Sequence, residues 1–152
     1  MKLQVQITGA LGAMWIAFTA SAMQMDVTPA QLCSISTAVV VGEVTDIETR
    51  WVEGDHGAIE RLASISVQQT PHGSLDQDIV VTLPGGTLNG LVHWVVDVPQ
   101  LQVDTSYMMT LEQRDGRWLV IGGEAGAVQL ATDGHRMGVP LATALKTLRG
   151  CI

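Results

Sequence analysis

Along this chain the apolar and polar positions fall into one short apolar run, then a series of β-type segments with a helix pattern near each end. The run Gly9 to Phe18 spans about 10 residues, against the roughly 20 needed to cross a bilayer. It follows Lys2 and ends in Ala20-Ser21-Ala22, small residues of the kind signal peptidase accepts. The pattern predicts a cleavable signal peptide over residues 1–22 and a mature chain from Met23. Thr28-Pro29 then predicts a helix start, with a capping hydroxyl before a proline whose fixed φ suits the first turn, and the helix is expected to run to about Thr37. A β-branched strand follows from Ala38 to Val44, with Gly42 marking a bulge or bend. It continues through Ile47, Thr49 and Trp51 to a turn at 53–57, and Ile59 to Gln69 returns with Ala63, Ile65 and Val67 on one face. That is a long twisted hairpin.

Pro71-His72-Gly73-Ser74 interrupts the pattern, and a third strand from Ile79 to Leu83 ends at Pro84-Gly85-Gly86. Residues 87–104 mix signals, strand-like at His93 to Val96 and loop-like at Pro99 and Asp104, so a partly ordered connection is expected there. Beyond it, Tyr107, Met109 and Leu111 alternate with Met108, Thr110 and Glu112, and Asp115-Gly116 supplies a tight turn into Trp118 to Ile121. Ala127 to Leu130 reads as a last strand and 133–135 as a turn. A final helix is expected from about Pro140 to Arg149, with Leu141, Leu145 and Leu148 on one face and Gly150 as its stop. The expected fold is mainly β: a small OB-like curved barrel of five or six strands with a short helix near each end, forming a single domain over residues 23–152.

Composition narrows the partners. Fifteen acidic residues stand against eight basic ones, a formal charge of −7, and cleavage of the leader removes Lys2 as well. Nucleic acids and anionic membrane surfaces are bound mainly through clustered basic residues, so neither is an expected partner. The two cysteines, Cys33 and Cys151, lie near the ends of the mature chain. An even count in an exported protein favours a disulfide between them. Localisation is expected to be periplasmic or secreted, with no membrane span after cleavage.

The run Val39-Val40-Val41-Gly42-Glu43-Val44, the hairpin after it, the Leu83-Pro84-Gly85-Gly86 turn and the strand Tyr107-Met108-Met109-Thr110-Leu111 resemble small secreted bacterial domains of unknown role. Those in turn are similar to the netrin and tissue-inhibitor-of-metalloproteinase barrel, an OB-fold. The resemblance covers roughly residues 28–132 and implies a barrel. In the inhibitor family an N-terminal cysteine coordinates the protease's zinc. Here the expected mature start is Met23 and the first cysteine is Cys33, so that mechanism is not carried over.

No catalytic constellation emerges. His56, His72, His93 and His135 are scattered in or beside expected loops with no second histidine at ligand spacing, and Gly-x-Ser-x-Gly is absent. Gly85-Gly86 and Gly122-Gly123 lack the Lys-Ser or Lys-Thr of a phosphate loop and read as turn glycines. The acidic residues do not follow a calcium-loop spacing. No cofactor or metal is expected. Trp51, near a hairpin tip, and Trp94 have two readings, as core filler or as exposed anchors, since tryptophan is enriched in binding hot spots. Trp118 is expected to pack inside.

The functional expectation is a secreted non-catalytic binding module for an extracytoplasmic protein or polymer, protease-directed as a special case, with Trp51, Trp94 and His93 as binding residues. The alternative is a secreted hydrolase or metal-dependent enzyme with a dispersed site. An exposed tryptophan surface favours the first; a deep pocket gathering His93 with carboxylates favours the second.

Overall fold

The computed structural model describes residues 27–54, 57–132 and 137–152. The signal-peptide segment with its cut after Ala22, and the histidines His56 and His135, lie outside the described residues. Helix α1 (Pro29–Ile35) begins where the capping chemistry directs. Gln31 N–H donates to Thr28 Oγ1 at 3.3 Å and Thr28 N–H donates to Gln31 Oε1 at 2.9 Å, a reciprocal box that pairs two donors the helix itself leaves open. The helix ends at Ile35 rather than Thr37, because Ser36 is already extended and leads into β1 (Ala38–Val52).

Strand β1 turns back into β2 (Ala58–His72), antiparallel along almost its whole length. The expected bend at Gly42 is present: the register slips between Val41 and Gly42 and again between Val44 and Asp46. A Cβ at Gly42 would lie 2.7 Å from both Ile65 Cγ2 and the Ser66 carbonyl oxygen, so the strands approach this closely only because the side chain is missing. Strand β2 runs through Pro71 and His72, and the chain turns instead at Gly73, whose φ of +84 a side chain rarely adopts. There follow β3 (Ile79–Pro84), β4 (Gly86–Leu88), β5 (Leu91–His93), β6 (Thr105–Arg114), β7 (Arg117–Val120), a 3-10 helix (Gly123–Gly126), β8 (Ala127–Gln129) and α2 (Leu141–Lys146).

Six of these strands form one sheet in the order β1-β2-β3-β7-β6-β8. Because β1 also pairs with β6, the pairings run round a ring with β8 attached outside on β6. Every pairing in that ring is antiparallel except β3 with β7, a parallel join of only two residue pairs, Val81 with Trp118 and Thr82 with Leu119. Beyond Thr82 and Leu119 the two strands part. The protein is therefore mainly β, as expected. Among the described residues the strands number eight, and β4 and β5 form a separate two-stranded hairpin.

Two cores flank the wall of the ring. Inside lie Val40, Val44, Ala63, Ile65, Val81, Leu83, Tyr107, Met109 and Leu111, with Trp118 packed against them as expected. Outside, Val39, Val41 and Met108 meet Cys33, Leu130, Ala144 and Leu148. A strand covered on both faces needs apolar residues in succession rather than in alternation, and this is the reason for Val39-Val40-Val41. The Cys33–Cys151 disulfide, with a Cα–Cα distance of 6.0 Å, fastens α1 to the chain end across this outer core. Among the described residues no helix is long and apolar enough to cross a membrane.

Candidate functional site

The stretch 87–104, expected to be a partly ordered connection, is a built structure. Asn89 and Gly90 have φ of 50° and 79°, the two positive values that a two-residue hairpin turn of this hand requires, and they join β4 to β5. The turn is tight because only Asn, Asp and Gly adopt these angles at little cost. The hairpin and the residues after it form an arm whose Leu91, Val92, Trp94 and Val96 are exposed, Trp94 at 78% and Val96 at 76%. Trp51, 48% exposed at the end of β1, completes the surface. Its ring lies over Gly57, where a Cβ would collide with it. A shallow depression bordered by Trp51, Ile59, Leu91 and Val92 makes tryptophan and arm continuous. Trp51 and Trp94 are therefore not core residues: the interior is filled by aliphatic side chains, Tyr107 and Trp118.

Beside the arm, where β3 and β7 part, opens a cavity of about 490 Å³. Ile59, Leu83, Val98, Leu119 and Val120 provide apolar wall, and Val96 of the arm reaches its rim. Its polar part centres on Glu60, only 7% exposed. Glu60 Oε1 accepts from Arg50 Nε at 2.6 Å and is also contacted by Arg50 Nη2, while Oε2 accepts from Arg117 Nη1 at 3.2 Å. This pairing bridges the β1–β2 hairpin to β7 past the short β3–β7 join. A near-buried carboxylate needs such partners, since an isolated one would be strongly disfavoured away from water. Both arginines remain about half exposed, which screens the attraction. Replacing Glu60 by Gln is expected to lower the unfolding free energy by about 1–3 kcal/mol, measured by urea denaturation. An unchanged midpoint would show that the bridge does not hold the ring.

Hydrogen bonds fix the arm to the ring at several points. His93 Nδ1 accepts from the Ile59 N–H at 3.3 Å, which leaves the ring proton on Nε2. Arg61 donates from Nε to the Gly85 carbonyl at 3.2 Å and from Nη1 to Gln100 Oε1 at 3.2 Å, and its burial lowers the guanidinium pKa from the ordinary value. Asp97 holds a positive φ of 57°, its Oδ1 accepting from the Glu124 N–H at 3.0 Å. The carboxylate sits over Gly123, in space a Cβ would occupy. Tyr107 Oη accepts from the Gln102 N–H at 3.0 Å, and burial raises its phenol pKa.

The cavity thus brings His93 near carboxylates, the arrangement an enzyme would need. Yet Glu60 is committed to two guanidinium groups and Asp97 to a backbone amide. Among the described residues no serine or cysteine lines the cavity. Cys33, His72 and Cys151 also lie together, with ligand-type atoms within 4.8 Å of one another. Both sulfurs there belong to the disulfide, with His72 Nδ1 3.6 Å from Cys151 Sγ. Cys33 is fully buried.

The structure gathers Trp51, His93 and Trp94 at one end of the molecule. Sequence reasoning missed Glu60, Arg50, Arg117 and the exposed aliphatic residues of the arm. Asn89-Gly90 was the signal for the arm, since this dipeptide between apolar residues is the strongest short-range hairpin mark. No local signal exists for Glu60 and Arg117, 57 residues apart. The chain matches no protein-family model and no curated protein.

Proposed function

We propose that the protein is a secreted or periplasmic non-catalytic binding module that holds a protein or polymer at the arm end of an OB-like barrel. The observation that carries this reading is the apolar surface of Trp51, Leu91, Val92, Trp94 and Val96, exposed on elements that hydrogen bonds fix to the ring. Rigidly mounted aromatic residues in an apolar patch bind at little entropic cost and typically supply most of an interface's affinity. Two features support the OB-like description: the pairings close in a ring, and that ring is weak at one seam. In OB-folds, ligands lie on the faces of the second and third strands and in the flanking loops. Here β2 and β3 border the cavity, and the β1–β2 tip carries Trp51. A protease is one protein class this surface would take, through apolar contact and not through Cys33. The disulfide accords with an oxidising compartment and hence with export.

The test uses the disulfide-intact protein as bait against envelope and medium proteins of its own source, beside a Trp51→Ala, Trp94→Ala variant. Because both side chains are exposed, the variant is expected to lose less than about 1 kcal/mol of stability. Its enrichment of the partner should fall at least tenfold, about 1.4 kcal/mol of binding. A partner retained equally by the folded variant, or no partner at all, would reject the reading.

A further inference from the structure

The polar groups facing the cavity are unequal in kind. Both oxygens of Glu60 already accept from arginine, so the carboxylate has little left to offer a ligand. Arg117 is half exposed and directs one N–H to Glu60, out of the five a guanidinium carries. His93 Nδ1 is taken by the Ile59 N–H, which leaves the Nε2–H as the ring's donor. Thr82, in the cavity wall next to the β3–β7 parting, adds a hydroxyl. The wall therefore presents chiefly donors, one of them permanently cationic, against an otherwise aliphatic surface. Asp97 is the one carboxylate that stands apart from this group, tied to the Glu124 amide over Gly123. The volume, about 490 Å³, falls in the range that encloses small organic ligands.

We infer that this cavity binds a monocarboxylate with an apolar body, its carboxylate received by Arg117 and His93 and its chain lying along Val52, Val96, Leu119 and Val120. The inference rests on the binding-module reading and gives it a ligand chemistry. A guanidinium matches a carboxylate in geometry and charge, and an aliphatic body gains by leaving water for the apolar wall. The negative charge of the whole protein slows the approach of an anion, but over more than about 8–10 Å that repulsion is screened at physiological salt. This chemistry has two natural sources, a medium-chain fatty acid and the free C-terminus of an apolar peptide.

The deciding experiment is calorimetric titration of the disulfide-intact protein with decanoate, with decanol, and with an N-acetylated trileucine bearing either a free or an amidated C-terminus. At least one acid should bind with a dissociation constant below about 1 mM, and its uncharged counterpart at least tenfold more weakly. Whichever acid binds better identifies the source. Arg117→Gln should weaken acid binding at least tenfold. Val96→Glu, a change at an exposed position on the rim, should abolish it without touching the ring, which covers the case that Arg117→Gln fails to fold. If neither acid binds, or decanol and the amide bind as well as the acids, the inference is wrong. The binding-module reading would then still be judged by the tryptophan variant, whose residues lie outside this cavity.

Discussion

Reducing the Cys33–Cys151 disulfide is expected to lower the unfolding free energy by about 5 kcal/mol. The bond closes a loop between residues 118 apart, and in the chain-entropy model a cross-link stabilises mainly by removing freedom from the unfolded chain, more so for longer loops. Domains of this size are stable by roughly 5–15 kcal/mol, so a loss of this magnitude brings the reduced protein close to unfolding. The native contribution points the same way. Cys33 is fully buried among Val39, Val41 and Leu148, and without the bond the last residues are left to apolar contacts, the Leu130–Val139 bridge and the approach of His72 to Cys151. Urea unfolding should therefore show a lower midpoint with reductant. The slope should be steeper as well, because the reduced unfolded chain exposes more surface. A Cys33→Ala, Cys151→Ala variant, free of thiols, should behave like the reduced protein. A midpoint that moves by less than the equivalent of about 1 kcal/mol would show that the outer core alone holds the two ends together.

The legibility of this fold in the sequence divides along a physical line. Features set by neighbours in the chain were readable: the helix start at Thr28-Pro29, the bulge at Gly42, the turn at Asp115-Gly116 with φ of 50° and 75°. Each depends on backbone angles or on a partner within a few residues. The closure of the ring was readable only as a class, since β1 with β6 and β3 with β7 pair residues far apart, and no local pattern encodes such a register. At the site the same division appears. Trp51, His93 and Trp94 stood out by residue type and proximity to turns, while Glu60 with Arg117 is a product of closure. The arm was hidden for another reason: its residues are strand-like yet exposed, and an apolar run that serves a surface reads in sequence like one that serves a core.

Closure also explains why the cavity lies where it does. A ring of few strands must bring its first and last members together, and here the last join is parallel and two pairs long. Strands that part leave unpaired backbone and an opening onto the core, which this chain covers with the segment after β5. Val95 and Val98 of that segment pack on the inner core, while Asp97 clamps it to the 3-10 helix. The elements that repair the seam thus carry the exposed Trp94 and Val96 and shape the cavity. Repair and binding surface are one structure, so substitutions that loosen the clamp at Asp97 or Gly123 disturb both.

A leucine in each core separates what the ring contributes from what the disulfide contributes. Leu111, fully buried at the point where β6 pairs with both β1 and β7, is expected to cost about 3–4 kcal/mol when replaced by alanine, from lost transfer energy and the cavity left behind. That cost should be the same within about 0.5 kcal/mol whether the disulfide is oxidised or reduced, because the inner core does not touch it and distant effects add. Leu148→Ala is different. The side chain is equally buried but belongs to the outer core with Cys33, Val39 and Ala144, on a segment whose attachment the disulfide enforces. With the bond intact, this substitution should cost about 2–4 kcal/mol. After reduction the segment can detach before the ring opens, so the loss cannot exceed the free energy that docks it, and the measured cost should fall by at least about 1 kcal/mol. Urea titrations of both variants in both redox states, all in one fixed concentration of a stabilising osmolyte so that the reduced variants still start folded, give the two coupling energies. Equal coupling for Leu111 and Leu148 would overturn the division into an autonomous inner core and a disulfide-dependent outer one.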